Sequence, residues 1–287
     1  MKLTNDVKEL AINRGADLVG IAPVDRFEHA PEDGKPQYYM PDAKRVVVIA
    51  TRILKSLCDV YGTYEEEGKT IGPYMWHGNV QLNWGNSWIA LQVAKLLEDE
   101  GYKALPFPPT GFMYRHPEHD IPDFYHKHAA VAAGLGEFGL NRLLLTPEFG
   151  AHQRIISVIT NAPLDPDPMY GGPKLCRQEE CESLCIRVCP MSAFGDKTFS
   201  VRIGDRTFEY APLNSSRCQY SFLAGRAARG KSIYPADPSQ AYLDKLMKEA
   251  RETTLTSKMH PDDRRLEMFT WAPTCSYCLV ECPAPWK

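Results

Sequence analysis

Apolar residues recur in this chain first at helical spacing and then in short continuous runs, and the alternation of the two patterns predicts most of its first half. Val7, Leu10 and Ala11 follow Thr4, a possible cap, and Gly15 offers a stop, which predicts a helix ahead of the strand-like LVGIA at 18–22. Pro41 and Asp42 punctuate the chain before RVVVIATRI, whose run Val46, Val47, Val48 and Ile49 predicts a strand buried on both faces of a central sheet. From Asn83 to Glu100, Trp84, Trp88, Ile89, Leu91, Val93, Leu96 and Leu97 form a broad apolar stripe that Gly101 ends, which predicts a long core-facing helix. A loop rich in proline, tyrosine and histidine follows from 106 to 128. HAAVAAGLGEFG then leads into LLLTPEFG and the strand-like QRIISVIT at 153–160.

The pattern changes at NAPLDPDPMYGGP, where four prolines and two adjacent glycines mark a boundary and predict two domains, 1–165 and 166–287. The second holds a polar segment at 199–231 and a candidate amphipathic helix at 239–251 that presents Tyr242, Leu243, Leu246, Met247 and Ala250. The whole chain has 287 residues, 44% hydrophobic and 24% charged, which excludes disorder, and no stretch has the length and apolarity of a membrane helix. Lys plus Arg number 33 against 36 Asp plus Glu, so no global field draws in a polyanion. The charged N-terminal segment carries neither a secretory apolar run nor a twin-arginine pair. We therefore expect a cytoplasmic protein with no membrane and no nucleic-acid partner.

Cysteine usage changes this plain picture. Eight of the nine cysteines lie between Cys176 and Cys282, and in a cytosolic chain such clustering points to metal rather than to disulfides. One group is Cys176, Cys181, Cys185 and Cys189, followed by Pro190; the other is Cys275, Cys278 and Cys282, followed by Pro283; Cys218 stands between them. Both groups end in C-x3-C-P, as in bacterial ferredoxins, where the fourth cysteine of each run serves the other 4Fe-4S cluster. That exchange rule assigns Cys176, Cys181, Cys185 and Cys282 to one cluster, and Cys189, Cys218, Cys275 and Cys278 to the other. Structural zinc also takes four cysteines, but it has no need of two C-x3-C-P endings. The first group departs from the ferredoxin run in its C-x4-C-x3-C spacing, which leaves its loop geometry open. Cys58, in RILKSLC, reads as a buried small hydrophobe.

The segment AAVAAGLGEFGLNRLLLTPEFGAHQRIISVITNAPLDPD, followed by the cysteine groups, resembles the core of corrinoid reductive dehalogenases and of epoxyqueuosine reductases. The resemblance implies an α/β fold, with a cobalamin-binding (nitroreductase-like) domain followed by a ferredoxin-like double 4Fe-4S domain. It implies an oxidoreductase with two 4Fe-4S clusters and base-off cobalamin. A low-potential ferredoxin or flavodoxin would supply electrons, and the substrate would be a small organic molecule. Gly134, Leu135, Gly136, Glu137, Phe138 and Gly139 match the family's turn and are expected against the corrin, since glycine lets the backbone approach a flat ring. Their G-x-G-x-x-G spacing also fits a dinucleotide fingerprint, but no preceding strand or βαβ unit supports it. A tRNA substrate is disfavoured by the acidic balance and by the short run after Cys282. The rival reading is an electron-transfer or corrinoid-reducing protein without substrate chemistry.

Reduction of a carbon–halogen or carbon–oxygen bond needs a proton donor. Asp120 falls about where epoxyqueuosine reductase-like proteins carry an aspartate, while the dehalogenases use a tyrosine, for which Tyr125 and Tyr114 are candidates. Arg142 or Lys127 would hold the departing anion. His116, His119, His126 and His128 are spaced too irregularly for a metal site and otherwise read as surface histidines of a solvated loop.

Overall fold

The computed structural model describes residues 2–61, 72–109, 114–116, 121–122, 124–223, 238–245, 248 and 275–285. Helix α1 (Lys2–Asn13) ends at Gly15, whose φ of +106° an L side chain resists, and the chain turns into β1 (Leu18–Pro23). Thr4 lies inside the helix rather than at its cap. Its hydroxyl donates to Asp165 Oδ2 at 2.9 Å and so ties the helix to a distant loop. Strand β2 (Arg45–Arg52), helix α2 (Leu82–Asp99), strand β3 (Ala104–Pro106), helix α3 (His126–Ala132) and strand β4 (Gln153–Thr160) complete the first half.

The sheet runs β1-β2-β4-β3 and every pairing is antiparallel, with Val47 opposite both Ile21 and Val158. Val46 and Val48 turn to one face, beside Ala22, Ile159 and the alanines of α3; Val47 and Ile49 turn to the other, against Val7 and Ala11 of α1 and Ile89, Val93 and Leu97 of α2. Both faces are covered, which explains the unbroken β-branched run of β2; each such side chain removed from water contributes about 1.5–3 kcal/mol. The predicted stripe of α2 is wider than its buried arc. Ile89, Ala90, Val93, Ala94 and Leu97 face the core, whereas Trp84 and Trp88 are 59% and 58% exposed and Leu91 is 38% exposed.

Contacts continue past residue 165. Asp167 lies against the edge of β1, its Oδ2 accepting from Ile21 N at 2.9 Å and its own N donating to Ile21 O at 2.8 Å. Arg26 spans from Ala132 O to Asp167 O at 2.6 and 2.7 Å. Where the sequence suggests a polar segment, a hairpin of β5 (Phe199–Ile203) and β6 (Arg206–Tyr210) packs Ile203, Phe208 and Tyr210 onto the first core, and α4 (Ser215–Leu223) follows. Of the helix expected over 239–251, residues 240–245 are helical, with Leu243 buried beside Met191 and Tyr220; Leu246, Met247 and Ala250 lie outside the described residues. Among the described residues no helix is long and apolar enough to cross a membrane.

Candidate functional site

The long spacing of the first cysteine group is absorbed by two short helical turns, Gln178–Cys181 and Leu184–Arg187. Between them Glu182 and Ser183 both adopt left-handed backbone, with φ of 48° and 54°. This reversal faces Cys181 and Cys185 toward Cys176, and Cys282 arrives from the far end of the chain; all four line one cavity of about 170 Å³. Burial pushes the Cys185 thiol up to about 12, and Cys282, Cys176 and Cys181 push the same way. The loop is fixed from outside: Glu137 Oε1 accepts from Leu175 N and Cys176 N at 2.6 and 3.1 Å, and Leu140 N donates to Cys176 Sγ at 3.3 Å.

Cys189, Cys218, Cys275 and Cys278 form a second neighbourhood. Cys278 stands well above the ordinary thiol range because it is buried and faces Cys275, Cys218 and Cys189, with Cys185 of the first group beyond them. Ala193 N donates to Cys189 Sγ at 3.3 Å, and Asn141 Nδ2 donates to Cys278 O at 2.7 Å. Among the described residues no three His, Cys, Asp or Glu side chains gather tightly enough for a single ion. The donor set fits a polynuclear cluster, whose cations offset several buried thiolates at once.

Cys218 also lines a pocket of about 400 Å³, together with Tyr125, Lys127, His128, Arg142 and Arg154. The structure therefore brings the predicted Tyr125 and Arg142 together beside the second thiol group. Arg142 sits in a turn closed by its own N–H to Gly139 O at 2.9 Å, with φ of 63°, and its guanidinium stands over the rings of Phe199 and Tyr210 at 5.9 and 5.3 Å. A left-handed arginine costs about 1–2 kcal/mol and points to a position fixed by use rather than by propensity. Burial and Arg142 pull the Lys127 ammonium down to about 8, opposed by Cys278 and Cys218. Arg154 Nε donates to Gly78 O, while its Nη2 is buried with no partner among the described residues, an N–H that an amide-rich corrin suits. Asp120 lies outside the described residues, as do His119 and the side chains of Tyr114 and His116.

Two expectations change here. His126 and His128 do not belong to a solvated loop. The His126 ring is buried between Ser157 Oγ and Pro108 O, each at 2.9 Å, and burial lowers its pKa to about 4. The hexapeptide 134–139 also has a different setting from the one expected. A Cβ on Gly134 would collide with Pro168 O and one on Gly136 with Leu145 O, so the close approach these glycines permit is to the chain's own backbone. Phe138 is buried in the core, Glu137 holds the first cysteine loop, Gly139 lines the first thiol cavity, and none of the six lines the larger pocket. Cys58 is buried, its thiol pushed up to about 12. The sequence reading misses Tyr210, although FSVRI and RTFEY alternate apolar and polar residues about Gly204-Asp205, a two-residue turn that signals a hairpin.

No family model matches the chain. Tetrachloroethene reductive dehalogenase of Desulfitobacterium hafniense is 30% identical over 200 residues, which make up 68% of this chain and 26% of that protein. Epoxyqueuosine reductase of Bacillus subtilis strain 168 is 23% identical over 91% of this chain and 67% of that protein. The chain thus spans about a quarter of the dehalogenase's length. A solved reductive dehalogenase, described with a mechanism for B12-dependent dehalogenation, matches with a TM-score of 0.55 at 18% identity, over 96% of this chain and 36% of that one. An epoxyqueuosine reductase solved with an epoxyqueuosine-modified tRNA-Tyr stem loop matches with a TM-score of 0.51 at 18% identity, over 98% of this chain and 65% of that one. At such identity the structural likeness is one of fold. A neighbour that holds tRNA leaves the expectation of no nucleic-acid partner unsupported. By sequence and by fold, the chain belongs to the reductive dehalogenase/epoxyqueuosine reductase-like family.

Proposed function

We propose that this protein is a cobalamin-dependent iron-sulfur reductase of a small organic substrate. The observation that carries the reading is that one of two thiol quartets opens, through Cys218, into a pocket that also presents Tyr125, Lys127 and Arg142. Cys176, Cys181, Cys185 and Cys282 hold one 4Fe-4S cluster; Cys189, Cys218, Cys275 and Cys278 hold the other. Clusters held by these two quartets would supply single electrons, and a corrin held in the pocket beside Arg142 and Arg154 would supply the low-valent cobalt chemistry that the substrate bond needs. Two electrons and one proton replace a carbon–halogen bond by carbon–hydrogen and release halide. Tyr125 supplies the proton, with Asp120 as the other candidate donor, and Arg142 and Lys127 hold the departing anion. Anaerobic reconstitution with cobalamin tests this: we expect about eight irons per chain, as two four-iron clusters require, together with retained corrin and turnover of a small haloarene or epoxide. Zinc in place of iron overturns the cluster assignment, and a full iron load without corrin leaves an electron carrier.

A second reading is reduction of epoxyqueuosine in tRNA, favoured by the structural neighbour that carries a tRNA stem loop. Turnover of an epoxyqueuosine-modified stem loop, with none of the small compounds, selects it.

A further inference from the structure

The side of α2 that faces away from the sheet carries aromatic residues where a solvated helix face would carry charges. Gln81, Trp84, Trp88, Leu91 and Lys95 are all exposed and recur at steps of three and four residues, the 3.5-residue period of a coiled-coil seam. The contrast with α1 is direct. That helix covers the same face of the sheet, yet turns Lys2, Asn5 and Glu9 to water. Trp76, in the wider coil Tyr74–Gln81 that runs into α2, is 45% exposed, with its ring 6.4 Å from that of Trp84. The uncovered parts of the three rings amount to roughly 250–400 Å² of apolar surface, given about 150–250 Å² for a whole aromatic side chain. Patches of that size on a single subunit are often functional.

Gly85 lies beside Trp84 in this exposed seam. Glycine within a helix is unfavourable, no left-handed backbone requires it here, and a Cβ on it would meet nothing within 4 Å. No contact among the described residues calls for glycine at this point. Close approach by the backbone of another molecule does.

The charge pattern selects the partner. From 70 to 94 the sequence has no Asp, Glu, Lys or Arg. A two-fold interface sets a patch against its own copy, so a charged patch would meet its own sign, whereas a charge-free one meets itself without repulsion. A membrane surface is instead met by aromatic residues with Lys and Arg around them, and this seam has a cation only at Lys95. The spacing is also self-complementary. With two copies antiparallel about Asn86, Trp84 falls opposite Trp88 and Gln81 opposite Leu91, and Gly85 sits next to the axis where the helices come closest.

We infer that two copies of this chain pair through the outer faces of their α2 helices, antiparallel about a two-fold axis near Asn86, with Trp84 of each copy against Trp88 of the other. The rings alone supply up to about half of the ~800 Å² that one side of a standard interface buries. The pairing does not depend on the reductase reading.

The test is sedimentation velocity of the iron-loaded protein, anaerobically and over a range of concentrations. The parent protein should dimerise with a Kd of about 10⁻⁶ M or below, the weak end for an interface of standard size. Trp88→Glu should weaken the dimer at least about 30-fold, the loss expected of a buried tryptophan anchor. Iron content should stay unchanged, because the side chain is exposed in the single subunit. Trp84→Lys combined with Trp88→Glu sets opposite charges across the axis, and should dimerise at least about tenfold more tightly than Trp84→Glu combined with Trp88→Glu, which sets like charges there. A general loss of structure does not produce that difference. A parent protein still monomeric at roughly a hundred times the expected Kd overturns the inference, as does a dimer that Trp88→Glu leaves intact. Equal behaviour of the two charge pairs overturns the antiparallel pairing. A monomer that binds uncharged phosphatidylcholine vesicles through Trp88 overturns it as well, and assigns the face to a membrane surface.

Discussion

The two thiol groups share a residue type and a C-x3-C-P ending, yet their surroundings differ. The first is enclosed: its four cysteines ring a small cavity, and Glu137 and the Leu140 amide hold its loop from the protein side. The second opens through Cys218 into the larger pocket, next to Lys127 and Arg142. They adjoin where Cys278 senses Cys185. One chemistry in two settings suits a relay followed by a delivery point, because solvent access and nearby charge set the potential and reach of a cluster.

The largest expected effect breaks this difference open. Cys218→Ala should remove about half of the iron, as loss of one four-iron cluster requires, and should abolish turnover whatever the reductant. Cys181→Ala should lose a similar share of iron, but a small chemical reductant that reaches the second cluster directly should restore turnover. Iron and metal-limited activity assays on both variants check this. If both recovered equally, relay and delivery would not be separate roles.

Next come the groups around the open thiol quartet. Tyr125→Phe keeps the ring but removes the hydroxyl, and should lower turnover by about 10²- to 10⁴-fold with iron and corrin content intact. Asp120→Asn is the paired measurement. If it alone lowers the rate, the proton comes from the aspartate and Tyr125 is a wall residue.

The legibility of the molecule in its sequence divides along the same line. Strands β1, β2 and β4 and helix α2 were readable because burial on a sheet face or a helix arc leaves a period in the sequence. The two cysteine groups were readable because their spacing is local, and the structure gathers Cys176, Cys181, Cys185 and Cys282 around one cavity. The width of the α2 stripe was overread: hydropathy counts Trp84 and Trp88 as apolar, but only packing decides which tryptophans are covered. The GLGEFG turn was given a corrin-facing place because glycine signals close approach without naming the partner, which here is the carbonyl of Pro168 or Leu145. The His128–Tyr210 contact joins residues 82 apart in the chain, and no local pattern encodes it.

A smaller effect lies in the acid response of the open region. His126 lines the larger pocket and has a folded pKa of about 4, below the ordinary value of 6.5, because it is buried. As the pH falls through about 6.5, the unfolded chain takes up a proton that the folded one refuses until about 4, so stability is full above the first value and declines toward the second. A shift of that size is worth up to ~3 kcal/mol. Anaerobic urea unfolding at neutral and mildly acidic pH should show this loss in the parent protein and a smaller one in His126→Asn. The same loss in both would place the acid sensitivity elsewhere.

The smallest effect concerns the enclosed group. Ser183 occupies left-handed backbone at φ 54° so that the longer C-x4-C-x3-C run can reverse between Cys181 and Cys185. A non-glycine residue there costs about 1–2 kcal/mol, while glycine loses an extra ~0.5–1 kcal/mol of chain entropy on folding. Ser183→Gly should therefore stabilise by at most ~1.5 kcal/mol, a rise in Tm of no more than about 3–6 °C, with iron content unchanged. Anaerobic thermal melts of the iron-loaded protein measure it. A lower Tm or a loss of iron would mean that the serine side chain itself holds the loop, and the enclosed group would then depend on a contact beyond Glu137 and the Leu140 amide.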